Sequence, residues 1–216
     1  MRKDKRPKLY LAGPEIFLPN AKECAEKQLT LCEKYGFIGL HPIDNNIGLA
    51  GSAFGIAKDI YRGDVGQVRE CDIVVANCNM FRGALIDDGT AYELGYGNAL
   101  EKPSYGYINK RIGYVNRVTQ NYPWHEIENS VRADKDGYLL LDDFGSEINL
   151  MMQCGMVANG GRLIIGDFES CLRAIRYDLD SGALKLGSWW WSKLFGNGSN
   201  RAKSHEETPS LFIPSK

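Results

Sequence analysis

A single-domain α/β fold, a parallel sheet flanked by helices, is what this 216-residue chain predicts. Short apolar runs that end in turn residues alternate with longer helix-compatible stretches, the pattern of successive β-α-β units. The chain is long enough to bury a substantial core. Its 44% hydrophobic and 25% charged residues are ordinary for a soluble globular protein. A net charge of −1 gives no footing for binding a nucleic acid polymer.

The elements follow in order. Lys8 to Ala12 is a short apolar run ended by Gly13-Pro14, a first buried strand. Asn20 caps the next helix, with Cys24, Leu29 and Cys32 facing inward and Gly36 closing it. Phe37 to Leu40 is a second strand, stopped by His41-Pro42, where the histidine reads as structural. Asp44 to Gly55 is a Gly- and Asn-rich loop, and Ile56 to Cys71 a helix with Ile56, Ile60, Val65 and Val68 near one face. Asp72 to Asn77 is the clearest strand, with Asp72 pairing structurally at its start. A helix over Thr90 to Leu100 and a strand over Pro103 to Ile108 complete the run. Residues 112–136 are polar, studded with aromatics and resist assignment. Tyr138 to Leu141 reads as a short strand, and Glu147 to Val157 and Asp167 to Tyr177 as helices, the last capped by Asp167.

Around this core, residues 1–7 form a basic arm, residues 8–177 the domain, and residues 178–216 an extension in which Trp189-Trp190-Trp191 reads as packing or a subunit contact and about the last twenty residues as a partly disordered tail. Gly13, Pro14 and Glu15 break the apolar run behind the basic start, so a signal peptide is not expected. No stretch approaches the roughly 20 apolar residues of a membrane span. The six cysteines lie scattered, without a C-x-x-C pair or a histidine at ligand spacing. They read as free thiols of a cytoplasmic protein, with no metal.

The chemistry concentrates in Ala84-Leu85-Ile86-Asp87-Asp88-Gly89-Thr90-Ala91-Tyr92-Glu93. Three carboxylates fall within seven residues, where a loop enters a helix. Glu93 is expected in the first helical turn, where outward N–H groups favour an anion. A carboxylate held there serves as nucleophile or electrostatic stabiliser, and Asp87, six residues earlier, as the acid that moves a proton. Asp88 is preferred as the helix cap. Paired carboxylates in a cleft are the means of breaking glycosidic bonds. Walker-type and dinucleotide-binding glycine motifs and a G-x-S-x-G elbow are all missing. In open parallel sheets ligands sit beyond the carboxyl ends of the strands. That places the Gly13-Pro14-Glu15 turn, with Phe17 beside it, and the Asn77 to Gly89 loop at the site; Cys78 and Asn79 are further candidates for its lining.

Four ordered segments together resemble the nucleoside 2-deoxyribosyltransferase family. They are Lys8-Leu9-Tyr10-Leu11-Ala12-Gly13-Pro14; Tyr61-Arg62-Gly63-Asp64 leading into Asp72-Ile73-Val74-Val75-Ala76-Asn77; Phe81-Arg82-Gly83 before Asp87-Asp88-Gly89-Thr90-Ala91-Tyr92-Glu93-Leu94-Gly95-Tyr96; and Asp143-Phe144-Gly145 before Ile148-Asn149-Leu150-Met151. The resemblance spans roughly residues 8–176.

It implies a flavodoxin-like (Rossmann-like) fold that exchanges the base of a 2′-deoxynucleoside with a free nucleobase. Glu93 would attack C1′ to give a covalent glycosyl-enzyme, Asp87 and Asp64 would contact the base and manage its proton, and Tyr10 would orient Glu93. Gly13, Pro14, Phe17 and Gly89 would line the substrate site. Asn149, with Met151 beside it, would reach into the neighbouring subunit's site of a homodimer or larger homo-oligomer. No cofactor is implied. Hydrolysis of 2′-deoxynucleosides or their 5′-monophosphates is the nearest alternative, and Glu15 is expected to repel a phosphate. A non-catalytic nucleotide-sensing or assembly module is the rival from another class; it would not need Glu93, Asp87, Asp64 and Tyr10 together.

Overall fold

A computed structural model describes residues 4–44, 51–127 and 131–186. The chain divides into two compact units, Met1–Lys185 and Leu186–Lys216. The tryptophan run and the tail beyond residue 186 lie outside the described residues, as does the middle of the loop predicted over Asp44 to Gly55.

Five parallel strands form the sheet: β1 (Lys8–Ala12), β2 (Ile38–Leu40), β3 (Ile73–Asn77), β4 (Ser104–Ile108) and, at one edge, β7 (Arg162–Ile165). Their order is β2-β1-β3-β4-β7, so the chain turns back across β1 on its way from β2 to β3. That reversal opens a crevice beyond the carboxyl ends of β1 and β3, where flavodoxin-like sheets hold their ligands. Leu9 to Ala12 and Ile73 to Ala76 are buried throughout, as strands covered on both faces must be. Ala12 pairs with Ala76, so the two strands end together at the crevice.

Helices α1 (Ala21–Lys34), α2 (Ala53–Glu70), α3 (Asp88–Ala99), α5 (Leu150–Ala158) and α6 (Phe168–Asp180) flank the sheet. Gly36, at φ +77°, ends α1 as the sequence predicts. Gly97 lets α3 press onto β3, because a Cβ there would lie 2.7 Å from Val74 Cγ2. This close approach draws α3 toward Tyr10, whose buried ring joins Val74, Leu94 and Met156 in one core cluster. Asp72 opens β3 in a structural role, its carboxylate accepting from the Lys8 N–H at 2.8 Å.

Some boundaries move for local reasons. Helix α2 begins at Ala53 rather than Ile56 because Ser52 caps it, accepting from the Gly55 N–H at 3.1 Å. Helix α5 starts at Leu150 rather than Glu147, with Asn149 as its cap. Asp167 caps α6 as expected, and the helix continues to Asp180, with Leu184 buried beyond it. Tyr138 to Leu141 makes a single bridge, Ala133 with Leu139, instead of a strand. The unassigned stretch holds helix α4 (Tyr114–Asn121) and an antiparallel pair, β5 (Trp124–Glu126) with β6 (Arg132–Asp134). Among the described residues no helix is long and apolar enough to cross a membrane. All six cysteines are unpaired.

Candidate active site

The sequence brings two of its predicted residues together directly. Tyr10, in the middle of β1, donates its hydroxyl to Glu93 Oε1 at 2.5 Å. The phenol is fully buried, and Glu93 is half-buried. Burial pushes the Glu93 carboxyl up to about 8. The Tyr10 hydrogen bond opposes that rise, and the charges of Asp64 and Asp87 add to it. The phenol titrates well above its ordinary range, first through burial and then through the Glu93 charge, so Tyr10 is the donor of the pair.

Asp64 lies on α2, half-buried, and its charge acts on both Tyr10 and Glu93. Carboxylates from α2 and the β3–α3 loop therefore act on Glu93, and that of Asp64 acts on Tyr10 as well. Like charges at close range favour holding a proton among them. Such a set can supply a nucleophile and a proton donor to the same substrate.

Two details of α3 correct the expectations. The cap is Asp87, not Asp88: its Oδ2 accepts from the Thr90 N–H at 2.9 Å and the Thr90 hydroxyl at 3.0 Å. Asp88 is the first helical residue and is exposed. The residue flanked by extended backbone takes the cap, and Asp87 has φ −62°, ψ 136°. Consequently Glu93 lies in the second turn, beyond the orphan N–H groups, and its carboxylate answers to Tyr10 rather than to the helix terminus. Gly89, next to Asp88, is exposed in the first turn.

On the other wall, Gly13 is extended at φ 173° and Pro14 opens a short 3₁₀ turn over Pro14–Phe17. Phe17 is 53% exposed and stacks on Phe81, ring centroids 5.5 Å apart. Glu15 turns inward, which the sequence reading did not anticipate. Its Oε1 accepts from the Tyr107 hydroxyl at 2.8 Å, from Asn77 Nδ2 at 2.9 Å and from Gln28 Nε2 at 3.2 Å. Its carboxylate is thus held by side chains of β4, β3 and α1. Cys78 is fully buried and so lines no pocket, while Asn79 bonds Asn77 and the Asn109 N–H.

Asn149 and Met151 lie at the start of α5, and Asn149 shares a cavity with Asp88 and Ala91 of α3. Asn149 caps α5, accepting from the Met151 N–H at 3.0 Å. It lines a cavity of about 310 Å³ with Leu85, Ile86, Tyr114, Arg117 and Met152; Tyr10, Asp64, Asp87 and Glu93 are not in its lining. Met151 is 74% exposed.

The chain is similar to known proteins in sequence and in fold. An uncharacterized protein of Schizosaccharomyces pombe is 28% identical over 197 residues, covering 85% of this chain and 92% of its own. A 2-deoxyribosyltransferase from Leishmania mexicana shares the fold with a TM-score of 0.58 at 24% identity, covering 79% of this chain and 97% of its own. A conserved protein from Enterococcus faecalis V583 superposes with a TM-score of 0.52 at 21% identity, covering 80% of this chain and 98% of its own. The family model for nucleoside 2-deoxyribosyltransferase matches residues 9–151, from β1 to the first turn of α5. By that match the chain belongs to the nucleoside 2-deoxyribosyltransferase family, enzymes of glycosyl transfer and N-glycosidic bond cleavage.

Proposed function

We propose that this protein exchanges the base of 2′-deoxynucleosides through a covalent deoxyribosyl-Glu93 intermediate. The observation that carries the reading is the Tyr10–Glu93 hydrogen bond at the sheet's switch point, with Asp64 and Asp87 close enough to act on Glu93 electrostatically. In the first step the Glu93 carboxylate attacks C1′. The C1′–N bond breaks, its electron pair goes to the base nitrogen, and Asp87 delivers a proton to the leaving base. Protonating such a leaving group is worth ~10²–10⁴ in rate. In the second step an incoming base loses its proton to Asp87 and attacks C1′, releasing Glu93. Two displacements on one carbon retain its configuration. Gly13, Pro14, Phe17 and Gly89 border the nucleoside, and Asp64 contacts the base. Asn149 and Met151 serve the neighbouring site of a homo-oligomer. Six unpaired thiols fit a reducing compartment such as the cytoplasm.

Deoxyinosine incubated with free adenine and followed by chromatography tests the reading. Deoxyadenosine is the expected product. Free hypoxanthine and deoxyribose alone would assign hydrolysis, and no turnover of any deoxynucleoside or 5′-monophosphate would remove the enzymatic reading.

Tyr10 has a role that pH exposes. Its hydrogen bond favours the ionised Glu93, so kcat/KM is expected to rise with pH along a limb near 8. In Tyr10→Phe that limb should move up by about one to two pH units, the worth of a hydrogen bond to a charged group. A lower plateau with an unmoved limb would leave Tyr10 as packing only.

A further inference from the structure

Arg82 is the residue of the crevice that the mechanism leaves unused. It lies in the β3–α3 loop at φ +49°, a left-handed conformation that non-glycine residues rarely adopt and that persists where the surroundings hold it. Gly83 follows at φ +136°, and the Phe81 N–H donates to the Leu85 carbonyl at 2.8 Å, closing the loop around them. The guanidinium carbon sits 4.6 Å from the Phe81 ring centroid and 5.1 Å from that of Phe17. Among the described residues no hydrogen-bond acceptor or carboxylate pairs with it, and the side chain is exposed. A guanidinium carries five N–H donors and no acceptor. Here they are presented by a group steadied on two aromatic faces.

The place of this stack matters as much as its chemistry. Phe17 belongs to the turn after β1 and Phe81-Arg82 to the loop after β3, the two strands that border the switch point. The same loop runs on to Asp87 and so into α3, which carries Glu93. A stack of flat groups at this mouth continues naturally onto another flat group, and the donors beside it ask for an acceptor edge.

We propose that Arg82 sets base preference, selecting nucleobases with an oxo group at purine C6 or pyrimidine C4 (hypoxanthine or uracil) over those with an amine at that position (adenine or cytosine). The inference rests on the N-glycosidic reading for its location. Its chemistry is separate: an oxo group accepts from the guanidinium, whereas an amino group sets donor against donor. The fit is to a planar base rather than to a phosphate, because Phe17 and Phe81 extend a stacking surface that an isolated oxyanion would not use.

Free bases do not react without a deoxyribosyl donor, so calorimetric titration of the full chain tests binding apart from turnover. Hypoxanthine should bind roughly 10-fold or more tightly than adenine, the scale of one specific base-edge contact. Arg82→Gly, which suits the left-handed backbone, should erase the difference while leaving the melting temperature within a few degrees of the parent. Equal affinities in the parent, no binding of either base, or selectivity that survives Arg82→Gly would each overturn the proposal. In the Glu93→Gln background, deoxyinosine 5′-monophosphate binding tighter than deoxyinosine in an Arg82-dependent way would also overturn it, by assigning the guanidinium to phosphate. Turnover of all deoxynucleosides without oxo preference would sink this inference and leave the proposed function standing. Selective base binding without any turnover would do the reverse.

Discussion

Replacing Glu93 with Gln is expected to lower turnover by roughly 10⁴-fold or more, the scale of losing one member of a catalytic unit. The substitution keeps the shape and an acceptor for the Tyr10 hydroxyl, so the fold should survive. A single-turnover experiment read by mass spectrometry should find the deoxyribosyl adduct on the parent chain and none on the variant. Activity within ten-fold of the parent would end the nucleophile assignment. Stability supplies a second readout with a definite sign. The carboxyl's ordinary value of 4.5 is raised to about 8 on folding, so the native state binds more protons than the unfolded state between these limits. Stability therefore falls as pH rises through that window. The penalty is absent below about 4.5 and complete above about 8. Glu93→Gln removes it, so the variant should out-melt the parent by a margin that widens from pH 5 to pH 8.5.

Asp87 is asked to do two things, and two substitutions separate them. Its Oδ2 caps α3, and removing the cap in Asp87→Ala should cost about 1 kcal/mol of stability. Asn is an equally good cap residue, so Asp87→Asn should melt close to the parent. It cannot donate a carboxylic proton, and turnover should drop by ~10²–10⁴. If Asp87→Asn keeps full activity while Asp87→Ala loses stability, the residue is a cap alone. Deoxynucleosides with better leaving groups should be less affected by Asp87→Asn, because they need less help from a proton.

Most of the sheet was legible because its central strands are buried on both faces. A run such as Ile73-Val74-Val75-Ala76 has few other uses. The edge strand β7 was not legible. Arg162–Ile165 is half-exposed and bounded by Gly160, Gly161 and Gly166, so it lacks a continuous apolar signature. Helix α4 lacks a side-chain cap at Gly113, and β5 is exposed throughout, which left residues 112–136 without start signals. In the site, the pairing of Tyr10 with Glu93 followed from resemblance, since nothing local links residues 83 positions apart. The cap falling to Asp87 rather than Asp88 shows the limit of composition. Two adjacent acids are equivalent caps on paper, and only the backbone angles at Asp87 decide. Arg82 was quoted for the resemblance yet given no task, because its strained backbone and its aromatic partners come from two separate places in the chain.

The inward turn of Glu15 has a consequence for how the site meets its ligand. One carboxylate oxygen is fastened by donors from α1, β3 and β4, and Phe17 lies only two residues further on. The turn that carries Phe17 is thus anchored to the sheet. A surface ordered in advance loses little conformational entropy when it is occupied, so more of the stacking contact survives as affinity. Glu15 acts there as a mooring for the turn that follows β1.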